Sequence, residues 1–321
     1  MQDIVAKGFI SSFYIAKTVT EQIYNDILSF DIRSHYAPSG FVVGVLCEES
    51  SSRTRFSTES AIQKLGGNVI HFSSLEETSI KKGETLEESS ELWSNYFDLI
   101  AIRSQKEMVP YIVSKHSTVP VINLGDGGNE HPTQGLATLV HAYKVFGKIR
   151  GLNICLWGDF LKSRTVHSVA IAFSALGANV TICSIPGISE QNMTLNLINR
   201  FYPDAHITFV DSIENIRDDI DIFYITRLQQ ERWKVEPKYE KFLPSYCNKL
   251  SENGIVLHSL PHNNEIGSEV LYHRKSKIHD HIKITLKTRE WLLCQYKTAF
   301  DNGMSLVDNT CFNEGVYGGV Y

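Results

Sequence analysis

Glu49-Ser50-Ser51-Ser52-Arg53-Thr54-Arg55 lies between an apolar run, Phe41-Val-Val-Gly-Val-Leu-Cys47, and an amphipathic run, Phe56 to Leu65. The first run has the length and β-branched content of a buried parallel strand, and the second carries apolar residues at helical spacing. A strand therefore delivers the chain into a helix start. The first backbone N–H groups of a helix are unpaired and its dipole is positive there, so an oxyanion can bind, with hydroxyls and guanidinium groups completing its shell. The same residues also suit a plain helix cap, with Ser or Thr as N-cap and Glu59 further on. Taken alone, the stretch fits both readings equally.

Outward from this point the chain alternates. On the amino-terminal side a helix is expected over about Val19 to Phe30. On the carboxyl side come a strand at Asn68–Phe72 after Gly66-Gly67, a polar loop from Ser73 to Lys82, a helix near 83–95, and a strand from Phe97 to Ile102 ending at Arg103. A short helix near 106–115 and a strand at Val119–Leu124 follow. Repetition of strand, helix, strand predicts a parallel sheet with helices on both faces, and right-handed crossovers place the strand C-termini on one edge, where ligands bind. Arg53, Arg103 and the loop after Leu124 are expected there. That loop, Gly125 to Gln134, feeds a helix from Pro132 to about Phe146. Pro suits the first helical position, and His131 and Gln134, three apart, share one face of the first turn.

Gly147 to Gly151 is the expected domain boundary, and beyond it the alternation restarts, with strands near 153–157, 179–183, 207–210, 220–225 and 255–260 and a helix over 164–175. Gly158-Asp159 follows the first of these strands without a GxGxxG fingerprint, so a dinucleotide reading is weak. Lys162-Ser163-Arg164-Thr165 makes a second basic helix start, and Arg227 closes the fourth strand. A final helix is expected over about Thr288 to Phe300. The fold class is thus α/β, two domains of parallel sheet flanked by helices, over residues 1–146 and 147–287, with the C-terminal helix of 288–321 packing back on the first. The active site is expected in the cleft between the domains.

A length of 321 residues fits two domains at roughly 150 each. Hydrophobic content of 42% and charged content of 21% are ordinary for a globular chain, and a net charge of −5 argues against a general nucleic-acid binder. The six cysteines form no CxxC pair or His-interleaved cluster, so buried free thiols in a reducing compartment are expected. No leader-like segment opens the chain and no apolar run approaches the ~18 residues of a membrane span; a cytoplasmic protein without membrane contact is the expectation.

Ser51-Ser52-Arg53-Thr54-Arg55 followed by His131-Pro-Thr-Gln134 closely resembles the paired signatures of the aspartate and ornithine carbamoyltransferases. The resemblance extends to about residue 270. Thr78 to Thr85 is similar to the mobile loop that, in the aspartate enzymes, reaches into a neighbouring subunit's site. Gly158-Asp159 with Arg164 to Ser168, and Thr226 to Arg232, resemble their aspartate-binding segments. His258-Ser259-Leu260-Pro261 stands where the ornithine enzymes have His-Cys-Leu-Pro, and their Ser-Met-Gly motif is absent, which favours a dicarboxylate acceptor.

The resemblance implies carbamoyl transfer from carbamoyl phosphate to L-aspartate, a step of pyrimidine biosynthesis, with no metal or organic cofactor. Ser51, Ser52, Arg53 and Thr54 would bind the phosphate, joined by Ser79 and Lys82 of a neighbouring subunit in a homotrimer with shared sites. Thr54, Arg103 and His131 would polarise the carbonyl oxygen as the catalytic set with Arg53. Gln134 and the backbone carbonyls of Leu260 and Pro261 would hold the carbamoyl NH2, and Arg164, Arg227, Gln229 and Lys82 the aspartate. Arg55 is expected to be structural, because the helix turns it away from its neighbour's face. No side chain stands out as a general base, which assigns the amine proton to the leaving phosphate. A zinc-bearing regulatory chain occurs in part of the family; this sequence carries no marker that decides whether one binds here.

The sequence departs from the family at His262 and Asn264, which replace an arginine and an aspartate, and around Asn302-Gly303, where Ala299 and Val307 replace a Gln and an Arg. The latter changes are expected to alter domain closure or stability rather than activity. A different amino-acid acceptor, or a carbamoyl phosphate-binding paralogue without turnover, are the alternatives.

Overall fold

A computed structural model describes residues 8–49, 51–184, 192–234 and 240–303. These divide into two compact units, one comprising residues 8–11, 17–133 and 286–303, the other 12–16 and the described part of 134–285.

The first unit holds a four-stranded sheet in the order β2-β1-β3-β4, formed by Val42–Cys47 (β1), Asn68–Phe72 (β2), Leu99–Ser104 (β3) and Val121–Asp126 (β4). All its pairings are parallel. β1, β3 and β4 are buried almost throughout, which is why they read as continuous Val/Ile/Leu runs rather than as alternating ones. Leu46, Ile100, Ile102, Val113 and Val121 pack with Phe72, Trp93 and Phe97 in one core. Helices Glu21–Ser29 (α1), Ser52–Lys64 (α2), Leu86–Trp93 (α3) and Val109–His116 (α4) surround or connect the strands. The Ser73–Lys82 segment, expected as a loop, forms two short 3-10 turns, Leu75–Glu77 and Ser79–Lys82, each started by a side-chain oxygen, of Ser74 and Thr78.

The second unit holds five parallel strands in the order β7-β6-β5-β8-β9. These are Asn153–Gly158 (β5), Asn179–Ser184 (β6), His206–Val210 (β7), Ile220–Ile225 (β8) and Leu250–His258 (β9). Helix Pro132–Phe146 (α5) starts at the expected proline, Arg164–Ala175 (α6) opens with the expected arginine, and Met193–Phe201 (α7) is capped by the Asn192 side chain. The expected boundary follows α5, whereas the compact units divide within it: Gly135 lies so close to the Ser168 carbonyl that an added Cβ would sit 2.9 Å from its oxygen.

The last described helix, Ile278–Asp301 (α8), begins ten residues before the expected start. Its carboxyl half belongs to the first unit. There Arg289 donates to the Ser57 hydroxyl, Lys287 to the Leu28 carbonyl at 2.8 Å, and Phe300 lies against Phe41. Gly303 ends it at φ 65°, and Val307 and Cys311 lie outside the described residues.

Candidate active site

In an open parallel sheet the crevice for ligands opens where the strand order reverses. In the first unit that point is between β1 and β3, and in the second between β5 and β8. Arg53 and Arg103 lie at the first and Arg164 and Arg227 at the second, while Lys82 lies on the turn after β2 and His131 in the loop after β4.

At the first, α2 begins directly after β1. Ser51 is its N-cap, and its hydroxyl accepts the Thr54 N–H at 3.3 Å. The capping reading of this stretch is therefore realised, and the helix starts four residues earlier than Phe56. Ser52 and Arg53 are exposed and Thr54 is buried. Arg55 turns away, as expected, and pairs with Glu59 at 3.0 Å. Arg103 lies inside β3, opposite Cys47 of β1, because the strand continues to Ser104. Its Nη1 donates to Thr54 Oγ1 at 3.4 Å and to the Leu124 carbonyl at 3.3 Å, and its Nη2 meets Glu49 at 2.7 Å. Both partners of that ion pair are largely withdrawn from solvent, their side chains 12% and 18% exposed.

His131 closes the loop after β4 and is buried, with Nδ1 3.2 Å from the Thr133 hydroxyl. The loop is tied by Asp126, whose carboxylate accepts from Asn123 at 2.8 Å, Asn129 at 3.0 Å and the Met108 and Glu130 N–H groups. Burial raises the Asp126 pKa to about 6, against the lowering effect of those donors. Ser79 and Lys82 are exposed on their 3-10 turn.

At the second reversal, β5 ends at Gly158 with φ 114°, and a Cβ there would sit 2.3 Å from the Thr226 carbonyl oxygen; only glycine lets the ends of β5 and β8 approach this closely. Asp159 then fixes the segment after β8, accepting the Gln229 N–H at 2.9 Å and Trp233 Nε1 at 2.8 Å. Arg164 is buried at the first position of α6. Arg227 donates through both terminal nitrogens to Glu231, at 2.9 and 2.6 Å, and this pairing raises the arginine pKa and lowers that of Glu231. Gln229 is buried, its amide donating to the Arg227 carbonyl at 3.1 Å.

After β9, the Leu260–Pro261 peptide is cis and Leu260 has φ 50°. The turn is shaped by His258, whose Nδ1 accepts the Leu260 N–H at 2.7 Å, so its proton sits on Nε2 and goes to Glu265 at 2.9 Å. His262 and Asn264 are exposed. Gln134 faces His281 of α8, at 2.8 Å. The acids Glu49, Glu231, Asp126 and Asp159 and the imidazole of His281 are what sequence reasoning missed or left without a role; only Glu231, four residues after Arg227 in a helical turn, carried a local signal.

Residues 8–144 match the family model described as aspartate/ornithine carbamoyltransferase, carbamoyl-P binding domain, and residues 150–295 that described as aspartate/ornithine carbamoyltransferase, Asp/Orn binding domain. The chain belongs to the aspartate/ornithine carbamoyltransferase family. Curated relatives in the family include the aspartate carbamoyltransferase catalytic subunit of Alkaliphilus oremlandii, 37% identical over 79% of this chain and 78% of that protein, and that of Clostridium novyi, 39% identical over 72% and 77%. The aspartate transcarbamoylase of Trypanosoma cruzi, crystallised with carbamoyl aspartate and phosphate, shares the fold with a TM-score of 0.77 at 23% identity, over 92% of this chain and 97% of that one. The ornithine carbamoyltransferase of Pyrococcus furiosus does so at 0.78 and 20%, over 90% and 96%. Fold alone thus does not choose between acceptors. The second match ends at residue 295, and Ala299 and Asn302-Gly303 lie beyond it.

Proposed function

We propose that the protein transfers the carbamoyl group of carbamoyl phosphate to the amine of L-aspartate, giving N-carbamoyl-L-aspartate and phosphate in pyrimidine biosynthesis. The observation that carries this reading is the residue chemistry at the two sheet reversals. Ser52, Arg53, Thr54 and Arg103 suit a phosphorylated carbonyl compound, and Arg164 and Arg227 suit two carboxylates, since planar guanidinium groups pair bidentately with them. The curated relatives named above point to the same acceptor. Residues 1–146, with the helix from 288, form the carbamoyl phosphate half, and 147–287 the aspartate half.

The amine nitrogen attacks the carbonyl carbon, the C=O π electrons move onto oxygen, and the tetrahedral intermediate collapses with loss of phosphate. Arg103, His131 and Thr54 stabilise the oxyanion, a contribution of ~3 to 4 kcal/mol per preorganised donor. Ser51, whose hydroxyl oxygen accepts the Thr54 N–H and caps α2, joins the phosphate set by donating its own proton to the ligand. Gln134 and the carbonyls of Leu260 and Pro261 receive the carbamoyl NH2, Gln229 lines the acceptor, and the departing phosphate takes the amine proton. The exposed turn carrying Ser79 and Lys82 serves a neighbouring subunit in a homotrimer. The five described cysteines are all free and buried, which supports a reducing, cytoplasmic setting.

A ureido-product assay with carbamoyl phosphate and a panel of amines tests the assignment. Product with aspartate and none with ornithine is expected; product with ornithine alone overturns the acceptor, and no product with any amine overturns transfer itself.

A further inference from the structure

Gln134 is an amide, and an amide can present either of two faces. To receive the carbamoyl NH2 it must offer its oxygen; turned over, it would set one NH2 against another. Something in the protein has to choose.

The hydroxyl of Thr285 gives its proton to the His281 carbonyl, one helical turn back, at 2.9 Å. Toward Gln134, 3.5 Å away, that hydroxyl can therefore only accept, so the amide nitrogen of Gln134 faces α8. Nε2 of His281, 2.8 Å from the same nitrogen, must then accept as well. The imidazole proton consequently lies on Nδ1, directed at Nδ1 of His141 3.2 Å away, whose own proton is left on Nε2. Donors and acceptors match along the whole row, from Gln134 through His281 to His141. The two imidazoles are buried, stacked at 5.3 Å, and burial holds both below their ordinary pKa, which keeps them neutral and the row intact. His258 also faces His281, the Tyr224 ring of β8 meets it edge-on at 6.2 Å with its hydroxyl neighbouring Gln134, and Lys144, Lys277 and Asp280 face His141.

We infer that His281 is a positioning residue which, by accepting the amide nitrogen of Gln134, turns the amide oxygen toward the carbamoyl NH2 and so makes the protein select an acyl phosphate bearing that NH2. This rests on the assignment of Gln134 to the carbamoyl group. His281 touches no reactant; it acts only through Gln134. The orientation is a property of neutral imidazole, because a protonated His281 would donate from both nitrogens and draw the amide oxygen to itself.

Acetyl phosphate separates this role from a structural one. Its methyl group stands where the NH2 would be and donates nothing, while its phosphate and carbonyl are unchanged. Titration calorimetry on the full chain should show His281→Met weakening carbamoyl phosphate about fivefold, the size of one neutral hydrogen bond, with acetyl phosphate affinity unchanged. His281→Gln, whose side-chain oxygen can replace Nε2 as acceptor, should restore the preference. Equal loss for both ligands, or no loss in His281→Met, overturns the inference. Gln134→Ala tells the two levels apart: if it weakens carbamoyl phosphate while His281→Met does not, only the positioning role fails; if it leaves carbamoyl phosphate affinity unchanged, the assignment of Gln134 fails and the inference with it.

Discussion

Each unit places an arginine at the reversal of its sheet and holds it with a glutamate, yet the two pairs are built differently. Arg103 lies within β3, and its partner Glu49 arrives from the end of a neighbouring strand; both are mostly withdrawn from water. Arg227 follows β8, and its partner is four residues ahead on a short turn, its side chain 54% exposed. Arg227 itself is 20% exposed, so the difference from the first pair lies in its acid, which water reaches and screens. A withdrawn pair ties its two members more firmly, because either one alone would be left poorly solvated. The first arginine is therefore a fixed part of the sheet edge, and the second is a side chain parked close to where it is needed. A rigid group suits a carbonyl whose charge must be met in one place, and a releasable one suits a flexible acceptor.

The sharpest way to break this contrast is to remove the fixed arginine. Arg103→Ala should lower kcat about 10²- to 10³-fold, as loss of a preorganised oxyanion donor does, with a smaller effect on the KM for aspartate; steady-state kinetics with both substrates varied measures it.

Acid should separate the units next. His141, in the second unit, has its pKa lowered from 6.5 to about 4, chiefly by burial. Between those values the unfolded chain binds a proton that the folded unit refuses, so stability falls as pH falls from 6.5 to 4, by about 2–3 kcal/mol. Asp126, in the first unit, has the opposite sign: its pKa is raised from 3.8 to about 6, so the folded unit binds the extra proton and gains stability as pH falls through that range. Hydrogen-exchange protection factors at pH 7 and 5 should fall in β5 and β8 relative to β1 and β3. A uniform change would contradict the assignment.

Arg227→Ala should raise the KM for aspartate at least tenfold, the cost of a lost charge-assisted hydrogen bond, and leave carbamoyl phosphate affinity as it was. The smallest effects belong to the glutamates. Glu49→Gln should change carbamoyl phosphate affinity several-fold by loosening Arg103, whereas Glu231→Gln should move the KM for aspartate less, because water already screens its half-exposed carboxylate. Reversed magnitudes would mean that the second arginine is the fixed one.

β1, β3, β4 and β8 were legible because they are buried almost throughout and so read as unbroken apolar runs, and α5 because Pro132 marks its start. The sequence places the start of α8 ten residues late: its first ten residues carry His279, Asp280, Lys283 and Lys287 and look polar, while the fold buries Ile278, His281 and Ile284. The sequence places the end of β3 at Arg103 because a charged residue after an apolar run looks like a strand's exit; the pairing of Arg103 with Cys47 of β1, and the Glu48 N–H donating to the Arg103 carbonyl at 2.9 Å, keep it in the ladder. The basic candidates stood out by residue type and place at strand ends. The acids paired with them did not, since a carboxylate that restrains an arginine leaves no pattern unless it lies one turn away, as Glu231 does. His281 stands 147 residues from Gln134, and nothing short of the fold brings them together.

The serine that opens α2 carries a kinetic consequence. Because Ser51 satisfies the Thr54 N–H in the resting protein, the first turn is nucleated at folding, and no segment has to order itself when an anion arrives. Association at this end should then proceed as a rigid encounter steered by charge, with an on-rate sensitive to ionic strength and nearly indifferent to helix propensity along the rest of α2.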